Sequence, residues 1–528
     1  MRIQRPLGFV ALLLAASLLA GCGGSNSTTA AKATSTAPGT LISTPPFRIA
    51  SLSAADLAAE LGGSVSGAQL LQISGTPTCG VDFYYLQYWT QGGAGESATA
   101  SGALMVPTGG AGCTGARPIV LYGHGTAAQK SYNIANIADP TNPAYGESVL
   151  LAAMYAAQGF IVVAPNYAGY DTSTLGYHPF LNAKQQSAEM MDILSAARVA
   201  LPKTFAASTT DSGKVLVTGY SEGGHVAMAT VRAMEAAGQS VTASAPMSGP
   251  YALEAFGDAI FAGNVNVGSV EFAPLLTTSY QKAYGNLYAA TSDIYTSTYA
   301  PGIESLFPGN YSLAAAVQGG LLPQTALFNS TTPSLSDLAS AGVPGNLAGE
   351  LAAVMAVPSN PLFALGFGPS PLLNNAYRIS YVLDAASNPD GAVAGSSAAG
   401  LAAAPPSLNN LRKALYNNDL RGGAWAPTAP MFLCGGAQDP TVFFKNTQIM
   451  AQYWAGFSLP PGLVTAYSVD PYPSTTGSDP LQVGFLQAEA ALVAAGGETA
   501  FLENYHGGLV PPFCAAAARN FFVHVLGG

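Results

Sequence analysis

The stretch Lys214-Val215-Leu216-Val217-Thr218-Gly219-Tyr220-Ser221-Glu222-Gly223-Gly224 decides the fold. Lys214 to Thr218 is a short apolar, β-branched run and reads as a buried strand. A Gly-rich hexapeptide follows at once, and His225 to Ala237 then suits a helix. A G-x-S-x-G segment between strand and helix makes a sharp turn that exposes the serine hydroxyl. The backbone N–H of Glu222 then faces the charge that develops on a carbonyl oxygen under attack, helped by the positive end of the helix dipole. Ser221 is therefore the candidate nucleophile.

The same rhythm extends outward in both directions. Val81 to Thr90 and Ala98 to Pro107 read as strands of a hairpin. Ile119 to Tyr122 is a buried strand that runs into Gly123-His124-Gly125-Thr126. Helical spacing over 147–157 leads to a strand, Phe160 to Ala164, stopped by Pro165, and then to a helix over Ala183 to Ala200. Val241 to Pro246 is strand-like again. Short apolar strands separated by helices predict a mostly parallel sheet covered on both faces. The rhythm breaks over 250–426, which is rich in Ala, Leu, Tyr, Gly and Pro and reads as a large, mainly helical inserted cap. It resumes at Pro430 to Cys434, continues in a helix over 442–454, and closes with a strand at Thr499 to Glu503 and a helix over 513–526. Leu463 to Val469 is strand-like without an obvious place. The core is thus expected in two parts, 47–249 and 427–528.

A serine hydroxyl needs a base. The five histidines are His124, His178, His225, His506 and His524. The chain order for a strand–turn–helix nucleophile is Ser, acid, His. His506, in the Gly-rich loop after the expected last strand, is the candidate base, whereas His524 falls inside the last helix. The acid should follow the next-to-last core strand. Asp439 does so after Cys434. Asp470, after Leu463 to Val469, is its rival, and Asp479 is a weaker alternative. A backbone N–H of Gly125 or Thr126 is the second candidate oxyanion donor beside Glu222. His124 suits an orienting role, His225 a packed one, and His178 either the site mouth or a loop.

Arg2 and Arg5, then an apolar run over Leu7 to Leu19, read as an export signal over 1–21, too short to span a bilayer comfortably. The run ends in Leu19-Ala20-Gly21-Cys22, which resembles a bacterial lipobox. Cys22 would accept the lipid and hold the protein on a membrane surface without spanning it, on the outer face of the cytoplasmic membrane, in the periplasm or at the cell surface. Residues 22–46, rich in Gly, Ser, Thr, Ala and Pro, are expected to form a flexible tether. With Cys22 lipidated, Cys79, Cys113, Cys434 and Cys514 remain, an even number in an oxidising compartment. The open end of the expected hairpin brings Cys79 beside Cys113, which leaves Cys434 with Cys514.

Only 9% of the 528 residues are charged, 49% are hydrophobic, and the net charge is −10. No basic stripe is available for a phosphate backbone, so nucleic acid is not an expected partner. No cysteine or histidine spacing suggests a metal.

The motifs Tyr122 to Thr126, Val163 to Gly169, Gly176 to Pro179 and Gly219 to Gly224, with the Asp439 and His506 loops, resemble the α/β-hydrolase superfamily. More narrowly, the chain is similar to the secretory lipase family, the cap-bearing lipases and esterases related to yeast lipase A. That resemblance implies hydrolysis of a small-molecule or lipid ester through an acyl-enzyme, without metal or organic cofactor. It carries the nucleophile onto Ser221, the acid onto Asp439 and the base onto His506. The chain departs from the HGGG stretch of many lipases, having His124-Gly125-Thr126. Two other readings are a peptidase or amidase with the same triad, for which Asp258, Glu271, Asp293 and Glu304 are available cap carboxylates, and a non-catalytic binding protein.

Overall fold

The structure is a computed structural model that describes residues 36–390 and 409–528. The expected export signal, Cys22, the tether up to residue 35 and part of the cap lie outside the described residues.

Strands β1 (Phe47–Leu52), β2 (Gly80–Gln91), β3 (Ser97–Thr108), β4 (Gly115–Gly123), β5 (Ile161–Pro165), β6 (Thr209–Tyr220) and β7 (Ala243–Met247) precede the insertion. The insertion contributes two two-residue strands, β8 (Phe328–Asn329) and β9 (Phe367–Gly368). Then come β10 (Met431–Gly435) and β11 (Val464–Ser468). The main sheet runs β1-β2-β3-β5-β4-β6-β7-β10-β11. From β5 to β11 the pairing is parallel throughout, while β1, β2 and β3 add an antiparallel edge. The buried strands explain themselves: Ile161 to Pro165 and Ala243 to Met247 are buried at every position. Continuous burial is what a strand covered on both faces requires.

Helix Ala183–Ala200 packs on helix Glu222–Ala236, and the closing helix Val510–Val525 packs on β7 and β10. Two buried disulfides cross-link the fold. Cys79–Cys113 closes the open end of the β2–β3 hairpin, where Gly80 pairs with Thr108, and Cys434–Cys514 ties β10 to the closing helix.

Between β7 and β10 the chain is mainly helical and has its own hydrophobic cluster, built around Phe261, Tyr280, Tyr381 and Leu411. Two buried arginines brace it. Arg412 reaches Asp258, Glu254 and Asp384 at 2.8, 3.3 and 3.1 Å. Arg378 donates to the carbonyls of Phe261, Met355 and Val354 and lies over the ring of Phe328.

Two expectations need correction, and one strand finds its place. Thr499 to Glu503 is no strand; it belongs to helix Pro480–Asn504, which restarts after a break at Gly497. The Ala, Glu and Leu content around it favours a helix. The strand-like Leu463 to Val469 is β11, the parallel edge beyond β10. Finally, residues 39–42, assigned to the tether, run beside the end of β2: Gly39 N–H donates to the Trp89 carbonyl and Ile42 N–H to that of Gln87. The Gly, Ser, Thr, Ala and Pro around it hid this pairing, because a segment this short is held by its backbone. The helices Ala54–Gly62 and Val65–Ser74 were not foreseen either, although Ser53 and Asp56 form a capping box that announces the first.

Candidate active site

Parallel strands place the loops after them along one edge of the sheet. Gly123 pairs with Gly219, Tyr220 with Met247, and Met247 with Cys434. The His124–Thr126 loop after β4, Ser221 after β6 and Asp439 after β10 therefore emerge side by side. This is the rim on which ligands bind in open α/β sheets.

Ser221 sits at φ 59°, ψ −121°, directly before helix Glu222–Ala236. The turn closes because its glycines lack a Cβ. A Cβ on Gly219 would lie 2.2 Å from the Gly223 carbonyl oxygen, and one on Gly223 would lie 1.9 Å from that of Gly123. The Ser221 N–H is taken by the Met247 carbonyl at 3.0 Å.

His506 arrives from the other end of the chain, on a π-helical turn over Tyr505–Leu509. Its Nε2 lies 2.7 Å from Ser221 Oγ and its Nδ1 lies 2.7 Å from Asp439 Oδ2. Asp439 is buried, and its other oxygen accepts from the N–H groups of Thr441 and Val442 at 2.9 and 3.0 Å. The Tyr220 hydroxyl donates to the His506 carbonyl at 2.6 Å and fixes the turn. Asp470 approaches neither Ser221 nor His506. It accepts from the Tyr505 hydroxyl and from Gln438 N–H, each one residue before a site residue. Asp479 caps helix Pro480–Asn504 and accepts from Tyr467.

Of the oxyanion candidates, Gly125 N–H donates to Glu147 Oε1 at 3.2 Å and is committed there. The Thr126 and Glu222 N–H groups have no acceptor among the described residues. Glu147 also accepts from the Tyr122 and Tyr132 hydroxyls, both at 2.7 Å, and so holds the loop after β4.

His178 lies in a loop and not at the site mouth. It is buried beneath the nucleophile turn, where its Nε2 meets Glu222 Oε1 at 2.6 Å; the Gln186 amide donates to the same oxygen at 2.6 Å. Burial alone would raise the Glu222 carboxyl. The His178, His124 and Gln186 interactions outweigh it and leave the group lowered. The signal was present in the sequence: a glutamate next to the nucleophile on a buried turn needs a partner. His124 is buried and stacked between Tyr132 and Tyr167. His225 bonds the Asn418 carbonyl at 3.0 Å, and burial lowers it to about 4. His524 is exposed on the closing helix.

Two spaces meet at Ser221. One is an open cleft of about 1140 Å³, lined by His506, Thr126 and Glu271 and walled by the helices Ala54–Gly62 and Val65–Ser74. The other is a narrow recess of about 110 Å³ under the insertion, lined by Leu253, Ile260, Phe261 and Leu411. Thr126, Ser221 and Phe272 line both.

The prolyl oligopeptidase family matches residues 148–264, which run from the helix before β5 past the Ser221 turn into the insertion. No curated protein matches the chain. Among solved structures, the rice cell wall degrading esterase LipA from Xanthomonas oryzae is similar at 26% identity and a TM-score of 0.62, over 92% of this chain and 98% of that one. A Legionella pneumophila protein described as a hydrolase is similar at 17% identity and a TM-score of 0.60, over 92% and 98%. The chain is a hydrolase of the α/β-hydrolase fold. This α/β-hydrolase is also similar to Candida antarctica lipase A, at 12% identity and a TM-score of 0.48, over 90% and 84%. The LipA likeness spans the insertion as well as the sheet, so the whole architecture, and not only the nucleophile turn, is shared with an esterase.

Proposed function

We propose that the protein hydrolyses carboxylic esters through an acyl-enzyme on Ser221, with His506 as base and Asp439 as the acid that orients it. One observation carries this reading: two 2.7 Å contacts in series link Ser221 Oγ, the two ring nitrogens of His506 and Asp439 Oδ2. Ser221 Oγ attacks the ester carbonyl as its proton passes to His506 Nε2. Asp439 stabilises the imidazolium and holds the tautomer. The N–H groups of Glu222 and Thr126 receive the oxyanion; one such donor is typically worth about 10²–10³ in kcat. His506 then gives its proton to the leaving alcohol. Water, deprotonated by the same imidazole, releases the acid.

The apolar recess suits the acyl chain, and the more polar cleft suits the alcohol. The recess is narrow, so short acyl chains are expected to be preferred. A p-nitrophenyl ester series from acetyl to palmitoyl tests both points, run beside Ser221→Ala. The expected result is peak kcat/KM at short chains and loss of turnover in the variant. Full turnover by Ser221→Ala would sink the assignment.

The prolyl oligopeptidase match favours a second reading, a peptidase with the same triad. Against it, of the cap acids only Glu271 lines the cleft, whereas Asp258 pairs with Arg412, Asp293 accepts backbone N–H groups and Glu304 accepts from Tyr288. Turnover of aminoacyl-p-nitroanilides above that of matched esters would promote it.

We propose further that the protein is exported and lipidated at Cys22. The two disulfides support an oxidising compartment. Cys22→Ala should move the protein from the detergent to the aqueous phase on detergent partitioning.

A further inference from the structure

Four carboxylates line the cleft, Asp56, Glu60, Glu147 and Glu271, and no Lys or Arg does among the described residues. Three of the four are engaged. Asp56 caps its helix with Ser53, Glu60 accepts from the Tyr145 hydroxyl at 2.9 Å, and Glu147 holds Tyr122, Tyr132 and Gly125. The Glu271 carboxylate has no hydrogen bond or ion pair among the described residues, although the residue is partly buried and lines the same cleft as Ser221 and His506.

A partly buried carboxylate without a partner is costly to ionise. Burial, followed by the charge of Glu222, pushes Glu271 up to about 7. Its place in the first turn of helix Ser269–Tyr284 favours the charge but does not cancel that penalty. The titratable groups around it share its sign or are neutral when ionised imidazole is absent: Glu222 and Tyr170 interact with it or with each other, and His506, Glu147 and Tyr122 share the cleft. Arg412, on the neighbouring helix Asn410–Asn418, is bound to Asp258, Glu254 and Asp384. Among the described residues no cation lies in the cleft to pair with it, so a cationic group on a bound ligand would favour its charged form. Phe272, the next residue, lines the cleft as well and adds an aromatic ring, which attracts cations.

We infer that Glu271 is a specificity residue that selects esters whose alcohol carries an ammonium group over neutral esters of the same shape. The inference rests on the esterase reading and on the acyl group taking the apolar recess. The chemistry is unchanged: the acyl C–O bond breaks, the cationic alcohol leaves with the proton from His506, and water supplies the oxygen of the acid. The charge acts on binding of the alcohol in the cleft and not on the bond that breaks.

Choline butyrate and 3,3-dimethylbutyl butyrate have the same shape and differ by one charge. Their hydrolysis by the full chain is followed in a pH-stat at pH 8.5, above the Glu271 value. The expected kcat/KM ratio is about tenfold in favour of the cationic ester, carried mainly in KM. It should shrink as salt is raised and fall to about one in Glu271→Gln. A wild-type ratio of one or less overturns the inference, as does a ratio that Glu271→Gln leaves intact. If that variant does not fold, judged by fluorophosphonate labelling, inhibition of the wild type decides. Choline should then inhibit p-nitrophenyl butyrate turnover more strongly than 3,3-dimethylbutanol does, and equal inhibition by the two overturns the inference. If wild type hydrolyses no ester at all and takes no fluorophosphonate, the esterase reading has failed and the inference falls with it.

Discussion

Ser221 holds a backbone conformation that only glycine adopts freely, φ 59° and ψ −121°. Such a conformation costs of order 1–3 kcal/mol and persists only where the surroundings hold it. Here they are the Met247 carbonyl behind the Ser221 N–H and the close approach of Gly219, Gly223 and Gly123. Asp439 and Asp470 divide their labour at the same scale. Asp439→Asn leaves the geometry but offers the wrong hydrogen-bond partner to His506, so kcat should fall by about 10⁴. Asp470→Asn disturbs the anchoring of Gln438, Tyr505 and Tyr472 and should cost about 10–100-fold, by comparison with the hydrogen-bond partners of metal-ligating side chains. Steady-state kinetics on the two variants checks this, and an inverted order would make Asp470 the acid. The turn that carries Ser221 was legible in the sequence because strand, turn and helix are contiguous. The acid was ambiguous because its identity depended on whether Thr499 to Glu503 was the last strand. His178 was not legible as the partner of Glu222, since nothing in a sequence pairs residues 44 apart across a buried turn.

The elements carry two further expectations. Helix Glu222–Ala236 buries His225 against the Asn418 carbonyl, with its ring lowered to about 4 from the ordinary 6.5. The unfolded chain therefore binds a proton there that the folded one does not. This stabilisation is complete above pH 6.5 and is lost as pH falls toward 4. His225→Gln should consequently lose less Tm than wild type between pH 7 and 4.5, measured by thermal melts; parallel curves would contradict the assignment. In the insertion, Arg412 pins helix Leu253–Phe261 to helices Asn375–Ser387 and Asn410–Asn418 through Glu254, Asp258 and Asp384. Breaking a buried ion pair by removing one partner costs about 3–5 kcal/mol. Arg412→Ala should destabilise the protein by that order in denaturant titration, and a loss below about 1 kcal/mol would mean the charges are screened. The insertion was readable only as a break in rhythm. Its short helices are held by buried arginines and aromatic contacts between distant segments, which leave no period in the sequence.

At the scale of the whole molecule, the sheet gathers a site in which Ser221 and His506, the proposed nucleophile and base, are 285 positions apart. The parallel strands β4, β6 and β10 deliver the oxyanion loop, Ser221 and Asp439 to one edge, and the closing helices bring His506 back over them. Cys434–Cys514 fastens the last helix to the strand that precedes the acid loop, across 80 residues. A loop of that length is worth about 2–5 kcal/mol to a folded protein. The Cys434→Ala, Cys514→Ala double variant should lose stability of that order by thermal unfolding, together with activity near its lowered Tm; an unchanged Tm would show the bond to be dispensable. The overall architecture was legible because strand burial and helical spacing alternate so regularly before residue 250 and after 430. The antiparallel edge was less so, since a short segment such as residues 39–42 pairs through backbone groups that any sequence possesses. All of these arrangements converge on one nucleophile. The most direct test is to label the folded protein with a fluorophosphonate at neutral pH and map the adduct by peptide mass spectrometry. The expected result is stoichiometric modification on Ser221, abolished in His506→Ala; modification at another residue, or none in active protein, would contradict it.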